Sequence, residues 1–412
     1  MRILICSEYV PLLPNNGARL VLRALLAELS PRHEVRLLCL ASPDEASRCD
    51  PEATRTVIVK PSRWSLPVGL VRSTLSGRPL RLDGIAAAIE KPLSEEIDSF
   101  KPDVLLALSG GLAGLRREVH GLPSVLLALD ASYRNWQARA QGEGAFRRPF
   151  VEREAERVRT FEQKEYVNYD RVVVVSEGDR EALAAINRQI QLVVIPNGVD
   201  SEYFAPDGTE PDSSTVAFHG TMNFAPNVSA ALHLADHIWP LVLEQVPDAR
   251  LVLVGRDPLP AVQALGDRPS ITVTGSVVDV RPLLRGAAAY ACPMVSGTGI
   301  KNKLLEAMAL ERACVATPKA LGGIAAVNGK QLVVASEPRE FASSLVSLLR
   351  DAERRSALGS AAREYVLAEH SWRRVGNAYE AVCREVVSEW RGARLGELRP
   401  PQHGEVVDAQ GR

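Results

Sequence analysis

The chain has 412 residues, of which 46% are apolar, 24% charged and 5% aromatic. That length exceeds what one ordinary core serves, so two domains are expected, and the composition excludes a disordered or fibrous chain. A net charge of -1 leaves no electrostatic footprint for a nucleic-acid partner.

The first residues, MRILICSEYVPLL, turn polar too soon for a signal peptide, and Ile3–Cys6 reads as a buried strand. Val35–Leu40, Val57–Val59, Val104–Leu108, Val125–Leu129 and Val172–Val175 follow as nearly unbroken apolar runs. Strands covered on both faces have this texture. Helical patterns such as Ala18–Leu29 lie between them, the mark of a parallel, doubly wound sheet. The stretch 195–212, IPNGVDSEYFAPDGTEPD, is turn and linker chemistry. The alternation then restarts. Thr215–His219, Arg250–Val254, Ile271–Thr274, Ala288–Cys292, Ala313–Ala316 and Gln331–Val334 form a second strand series. Val228–Val246, Leu304–Leu310 and Pro338–Leu349 read as helices between them. Arg363–Trp390 reads as helical with a break near His370–Ser371, and the chain from Arg391 has no period and is expected to be disordered. Cys6, Cys39, Cys49, Cys292, Cys314 and Cys383 lack paired metal-ligand spacing, which fits a reducing, cytoplasmic compartment. No run reaches the ~18 apolar residues of a membrane span.

Five segments stand in a telling order: VVVVSEGDREAL (Val172–Leu183), VIPNGVD (Val194–Asp200), LVLVGRDP (Leu251–Pro258), VTGSVVDV (Val273–Val280) and GTGIKNKLLEAMALERACVATPKALGGI (Gly297–Ile324). In that order they resemble the retaining GT-B glycosyltransferases, the group that includes sucrose synthase, glycogen synthases and phosphatidylinositol mannosyltransferase. The resemblance spans residues 1–390. It implies two Rossmann-like, doubly wound parallel-sheet domains facing across a cleft: 1–197 on the acceptor side and 198–370 on the nucleotide-sugar side. A C-terminal helix, 371–390, would return to the first domain, with 391–412 as a disordered tail. The implied donor is a nucleoside diphosphate sugar, UDP- or GDP-linked, with no obligatory cofactor or metal. The acceptor would be a small molecule, a glycan or a lipid-linked hydroxyl. Oligomeric state and peripheral contact with the inner face of a membrane stay open.

Gly297, Thr298, Gly299 and Ile300 follow a strand and open a helix near Lys301. Free amides at a helix start bind anions, and glycines allow close approach, so a diphosphate belongs here unless the turn merely joins strand to helix. Lys301 and Lys303 oppose the helix dipole in that first turn, which makes sense beside an anion, or else they are solvated. Glu306 and Leu305 lie in LLEAMA. In the family this Glu accepts hydrogen bonds from the nucleotide ribose, and a carboxylate suits both hydroxyls. The family also carries an earlier Glu facing the transferred sugar, and Thr298 stands there instead. Many relatives hold the diphosphate with an Arg and a Lys after the first strand of the second domain. Here Met222 and either Asn223 or Asn227 take those places, leaving Lys301, Lys303 or Arg256 to supply charge. Ser276 falls where relatives hold the base through the backbone.

In the first half, Asn16 and Gly17 sit in the loop after the first strand, which in the family lies over donor phosphates and acceptor. Asp130 ends a strand where relatives often have His. It could orient an acceptor hydroxyl, take its proton, or cap the next segment. Residues 134–159 mix arginines with glutamates and read as a salt-bridged helix, or as a basic face for a membrane or phosphorylated acceptor. His219 reads as structural or solvated. The expected catalytic set is Asp130, Lys301 and Thr298. Two rivals remain: a 2-epimerase of the same shell, and a donor-binding subunit without turnover.

Overall fold

Every strand pairing among the described residues is parallel. The computed structural model describes residues 1–12, 17–41, 45, 56–59, 79, 82–119, 121–297 and 299–394. The chain divides into two units, Met1–Ile195 joined by the chain from Gly376, and Pro196–Val375.

The first unit holds β1 (Arg2–Ser7), β2 (Glu34–Leu40), β3 (Thr56–Val59), β4 (Val104–Leu108), β5 (Ser124–Leu129), β6 (Arg171–Val174) and β7 (Leu192–Val194). They form one sheet in the order β3-β2-β1-β4-β5-β6-β7. Ile3 pairs with Val35 on one side and Val104 on the other. All of β4 and the apolar residues of β1 are buried, as expected for a sheet layered on both faces. Helices α1 (Gly17–Leu29), α2 (Leu82–Phe100), α3 (Ser132–Gly142), α4 (Arg148–Glu165) and α5 (Glu177–Ile186) connect the strands. In α1, Val21, Leu22, Leu25, Leu26 and Leu29 recur at helical spacing and are all buried. The strand order reverses between β1 and β4, the switch point at which such sheets open a crevice at the C-terminal ends of their strands.

The second unit holds β8 (Asp212–His219), β9 (Arg250–Val254), β10 (Ile271–Val273), β11 (Ala287–Cys292), β12 (Ala313–Ala316) and β13 (Val333–Val334), ordered β10-β9-β8-β11-β12-β13. Its switch point lies between β8 and β11. Around it stand α6 (Ala225–His233), α7 (Asn302–Ala309), α8 (Pro338–Arg350) and α9 (Ala352–Glu369). The helix expected over Val228–Val246 is broken by a π turn, Leu234–Ile238, before Trp239–Leu243. A last helix, α10 (Trp372–Arg394), starts after a break held by His370, whose Nδ1 lies 2.9 Å from the Asn197 carbonyl. Trp372 packs so tightly on Gly198 that a Cβ there would lie 2.7 Å from its ring.

Two expectations are corrected. β7 was absent from the sequence reading, because its three residues are only partly buried and run into the Pro-Asn-Gly turn. The helix predicted to end at Trp390 continues to Arg394, because Trp390 donates from Nε1 to Asp170 at 2.8 Å and anchors that stretch. The rest of the expected tail, like Asn16 and Thr298, lies outside the described residues.

Candidate active site

Both units concentrate polar chemistry at the C-terminal ends of their strands. In the second unit β11 runs into the turn that carries Gly297 and Gly299, which have φ of 93° and 66°, the left-handed region open to glycine. The Gly299 carbonyl lies 2.0 Å from where a Cβ of Gly322 would sit, so that glycine permits the turn to close. Lys301 caps α7 with no side-chain cap bond, and its own Nζ donates to the Gly299 carbonyl at 2.6 Å. The amides of Asn302 and Lys303 donate to no oxygen among the described residues. They are open donors at the positive end of a helix dipole.

Lys303 reaches from α7 to the turn after β8. Its Nζ donates to the Asn227 side-chain oxygen and lies 4.8 Å from the centre of the Phe218 ring. Asn227 is buried, and its own amide donates to the Thr221 carbonyl at 2.9 Å. The ammonium makes no ion pair among the described residues. Burial, with a smaller push from Lys301, lowers its pKa to about 8. Such a cation gains most from an anion brought to it. Two glycines keep this turn narrow: a Cβ on Gly255 would lie 1.8 Å from the Gly220 carbonyl.

Glu306, one turn further along α7, meets His219 at the end of β8. His219 Nε2 lies 2.7 Å from Glu306 Oε2. The sequence reading of His219 as structural or solvated missed this pair. The available signal was its position, a polar residue closing an apolar strand at the edge where ligands bind.

The other expected donor residues fall around this centre unevenly. Arg256 is exposed, with only Asp257 nearby at 3.9 Å, while its carbonyl accepts the Met222 amide at 2.9 Å. Ser276 is exposed. Ile300 packs partly against the core. Leu305 is fully buried in the core, and its amide donates to the Lys301 carbonyl at 3.4 Å.

The first unit presents the opposite charge. Leu129, the last residue of β5, has φ of 69°, an uncommon conformation for a bulky side chain, and it delivers Asp130. Asp130 accepts from Ser132 Oγ at 3.1 Å and Asn135 Nδ2 at 2.9 Å. The helix α3 lacks a side-chain cap of its own. Instead Asp179 accepts the Ala131 amide at 3.1 Å, and Glu162 of α4 accepts the Ser132 amide at 2.8 Å. Glu162 is 1% exposed and its Oε2 has no partner. Burial first, and the Asp130 charge second, push its pKa up to about 8. Burial, then the Asp179 charge, raises Asp130 as well. Gly17 opens α1 and is exposed, with open space where a Cβ would go. Along 134–159, Arg148 pairs with Glu152 at 2.8 Å and Arg159 with Glu156 at 3.1 Å within one helix, beside exposed Phe146 and Phe150. No helix among the described residues is long and apolar enough to cross a membrane.

Known proteins match this arrangement. The family model for Glycosyltransferase Family 4 matches residues 15–203, and that for Glycosyl transferases group 1 matches residues 213–351. An alpha-maltose-1-phosphate synthase of Mycolicibacterium smegmatis is 28% identical over 312 residues, covering 68% of this chain and 76% of that protein. A GDP-mannose:cellobiosyl-diphosphopolyprenol alpha-mannosyltransferase of Xanthomonas oryzae is 22% identical over 234 residues, 53% of this chain and 57% of its own. A sucrose-phosphate synthase from Thermosynechococcus elongatus shares the fold with a TM-score of 0.71 at 16% identity, covering 94% of this chain and 99% of that one. HepE of Anabaena, solved in complex with UDP, matches with a TM-score of 0.64 at 13% identity over 93% of this chain and 100% of its own. Two doubly wound parallel sheets in this order define the GT-B fold. The chain belongs to the group 1 glycosyltransferases.

Proposed function

We propose that the protein transfers a hexosyl unit, with retention of configuration, from a UDP- or GDP-linked sugar to an acceptor hydroxyl. One observation carries the reading: the half-buried Lys303 ammonium, bonded to the neutral Asn227 oxygen and in no ion pair among the described residues, beside the open amides of Asn302 and Lys303. Together they suit a diphosphate. Lys301 adds charge, Gly297 and Gly299 let the phosphates approach, and Glu306 takes the ribose hydroxyls. Lys303 thus supplies the cation that Met222 and Asn227 do not.

The transition state resembles an oxocarbenium ion while negative charge grows on the leaving phosphate. Preorganised donors aimed at that charge lower the barrier. The acceptor oxygen attacks the sugar carbon on the face the diphosphate leaves, so configuration is kept. The acceptor's proton passes to the departing phosphate oxygen, so no strong protein base is required. Asp130, held by Ser132 and Asn135, orients the acceptor hydroxyl. Retention is supported by the alpha in the mannosyltransferase relative's name, since common hexosyl donors are alpha-linked.

Incubation with UDP- and GDP-sugars, with and without an acceptor pool, tests this. Nucleotide release that depends on acceptor, and an alpha anomer in the product by NMR, are expected. Donor binding without any turnover would overturn the reading in favour of a non-catalytic subunit.

A further inference from the structure

The imidazole of His219 is 6% exposed. Its Nε2 lies 2.7 Å from Glu306 Oε2, while Nδ1 is buried with no hydrogen-bond partner. The ring meets Tyr290 edge-on, with centroids 5.5 Å apart. A carboxylate can only accept, so the hydrogen of this contact sits on Nε2. His219 is therefore the donor and Glu306 the acceptor.

We propose that His219 is a positioning residue: its Nε2–H fixes one oxygen of Glu306 and leaves Oε1 alone to receive the donor nucleotide. The sequence reading had Glu306 accept from both ribose hydroxyls; with Oε2 held by His219, Oε1 is the oxygen left for them. Glu306 is 22% exposed on its side chain and sits in the second turn of α7, where an unheld carboxylate would sample several rotamers. A hydrogen bond from a ring itself wedged against Tyr290 removes that freedom before the donor arrives. The energy of ordering is then spent in folding rather than in binding. This rests on the assignment of Glu306 to the donor nucleotide.

The test uses the full chain and four variants: His219→Phe, His219→Gln, Glu306→Ala and the pair His219→Phe/Glu306→Ala. Gln can present an N–H near the Nε2 position; Phe keeps the ring and loses the donor. His219→Phe should raise the Kd for UDP or GDP and the donor KM by about 10-fold, with kcat within about 2-fold and Tm unchanged. His219→Gln should stay within about 3-fold of wild type, and the double variant should bind no worse than Glu306→Ala alone. A purely structural histidine would lower Tm and move kcat with KM. The proposal is overturned if His219→Phe binds like wild type, or if His219→Gln is as damaging as Phe. Should the Phe variant not fold, Gln against Glu306→Ala decides: a Gln variant as weak as Glu306→Ala overturns the proposal, and near-wild-type binding upholds it. If Glu306→Ala itself binds donor normally, the donor assignment of Glu306 fails instead, a separate result.

Discussion

The two units bring opposite chemistry to the same topological place. At the C-terminal edge of the second sheet, the Lys303 amine forms no ion pair among the described residues, and burial lowers its pKa to about 8. At the same edge of the first sheet, Asp130, Asp179 and Glu162 gather, and burial pushes Glu162 up to about pH 8. One edge thus sets Lys301 and Lys303 beside a single carboxylate, Glu306, while the other gathers three acids. The lesson is that the strand order of a doubly wound sheet builds the crevice, while the loops decide which charge it lacks. A diphosphate suits the first edge, and hydroxyl donors suit the second.

The largest effect should come from removing the Lys303 amine. Lys303→Ala is expected to weaken UDP or GDP binding by about 100-fold, near 2.7 kcal/mol, by calorimetry. Free nucleoside should lose far less. Equal losses for nucleoside and nucleotide would break the contrast between the edges. The amine also sets a pH limb. Its lowered pKa means the cation is present below about pH 8 and disappears above it. Donor kcat/KM, which reports the free enzyme, should fall above that value in wild type and not in Lys303→Ala.

Asp130→Asn, on the acidic side, should lower kcat by about 10- to 50-fold with donor KM unchanged, since it touches acceptor chemistry only. A rise in donor KM would show that the edges are not separable. Lys301→Ala follows, with a loss of diphosphate affinity of about 10-fold, because its Nζ is partly spent on the Gly299 carbonyl.

The smallest effect is on stability. Glu162 has a folded pKa raised above its unfolded value, so the fold favours its neutral form. The stability it contributes is fully present below about pH 4.5 and is lost as pH rises through about 8. Glu162→Gln, neutral at every pH, should therefore raise Tm by a few degrees at pH 9 relative to wild type and change little at pH 5. A Tm difference that does not vary with pH would reduce Glu162 to a helix cap.

Strand existence was readable where apolar runs are continuous. Val104–Leu108, Arg250–Val254 and Ala313–Ala316 fall on the residues the pattern picks out, because parallel strands bury both faces. Leu192–Val194 escaped because a partly buried edge strand lacks that mark. The Gly297–Glu306 segment was legible because its chemistry is local: glycines, a helix start and two lysines within one turn. His219, Glu162 and Asp179 were not, because each takes its meaning from a partner far along the chain. Nothing in FEQKEY says that Glu162 will cap a helix thirty residues earlier. The helical rotation that leaves Glu306 partly exposed turns the Leu305 side chain into the core.

The first unit is assembled from two stretches of chain, and the second stretch arrives last. Arg171 pairs with Glu385 at 2.6 Å, Trp390 bonds Asp170, and Cys383 is buried there. During synthesis the ribosome releases β1 to β7 long before α10 exists. The nascent first unit must wait, incompletely covered, while the whole second unit emerges. Expressing residues 1–195 alone would therefore reproduce that waiting state rather than a finished domain, and a co-expressed α10 peptide is the natural means of completing it.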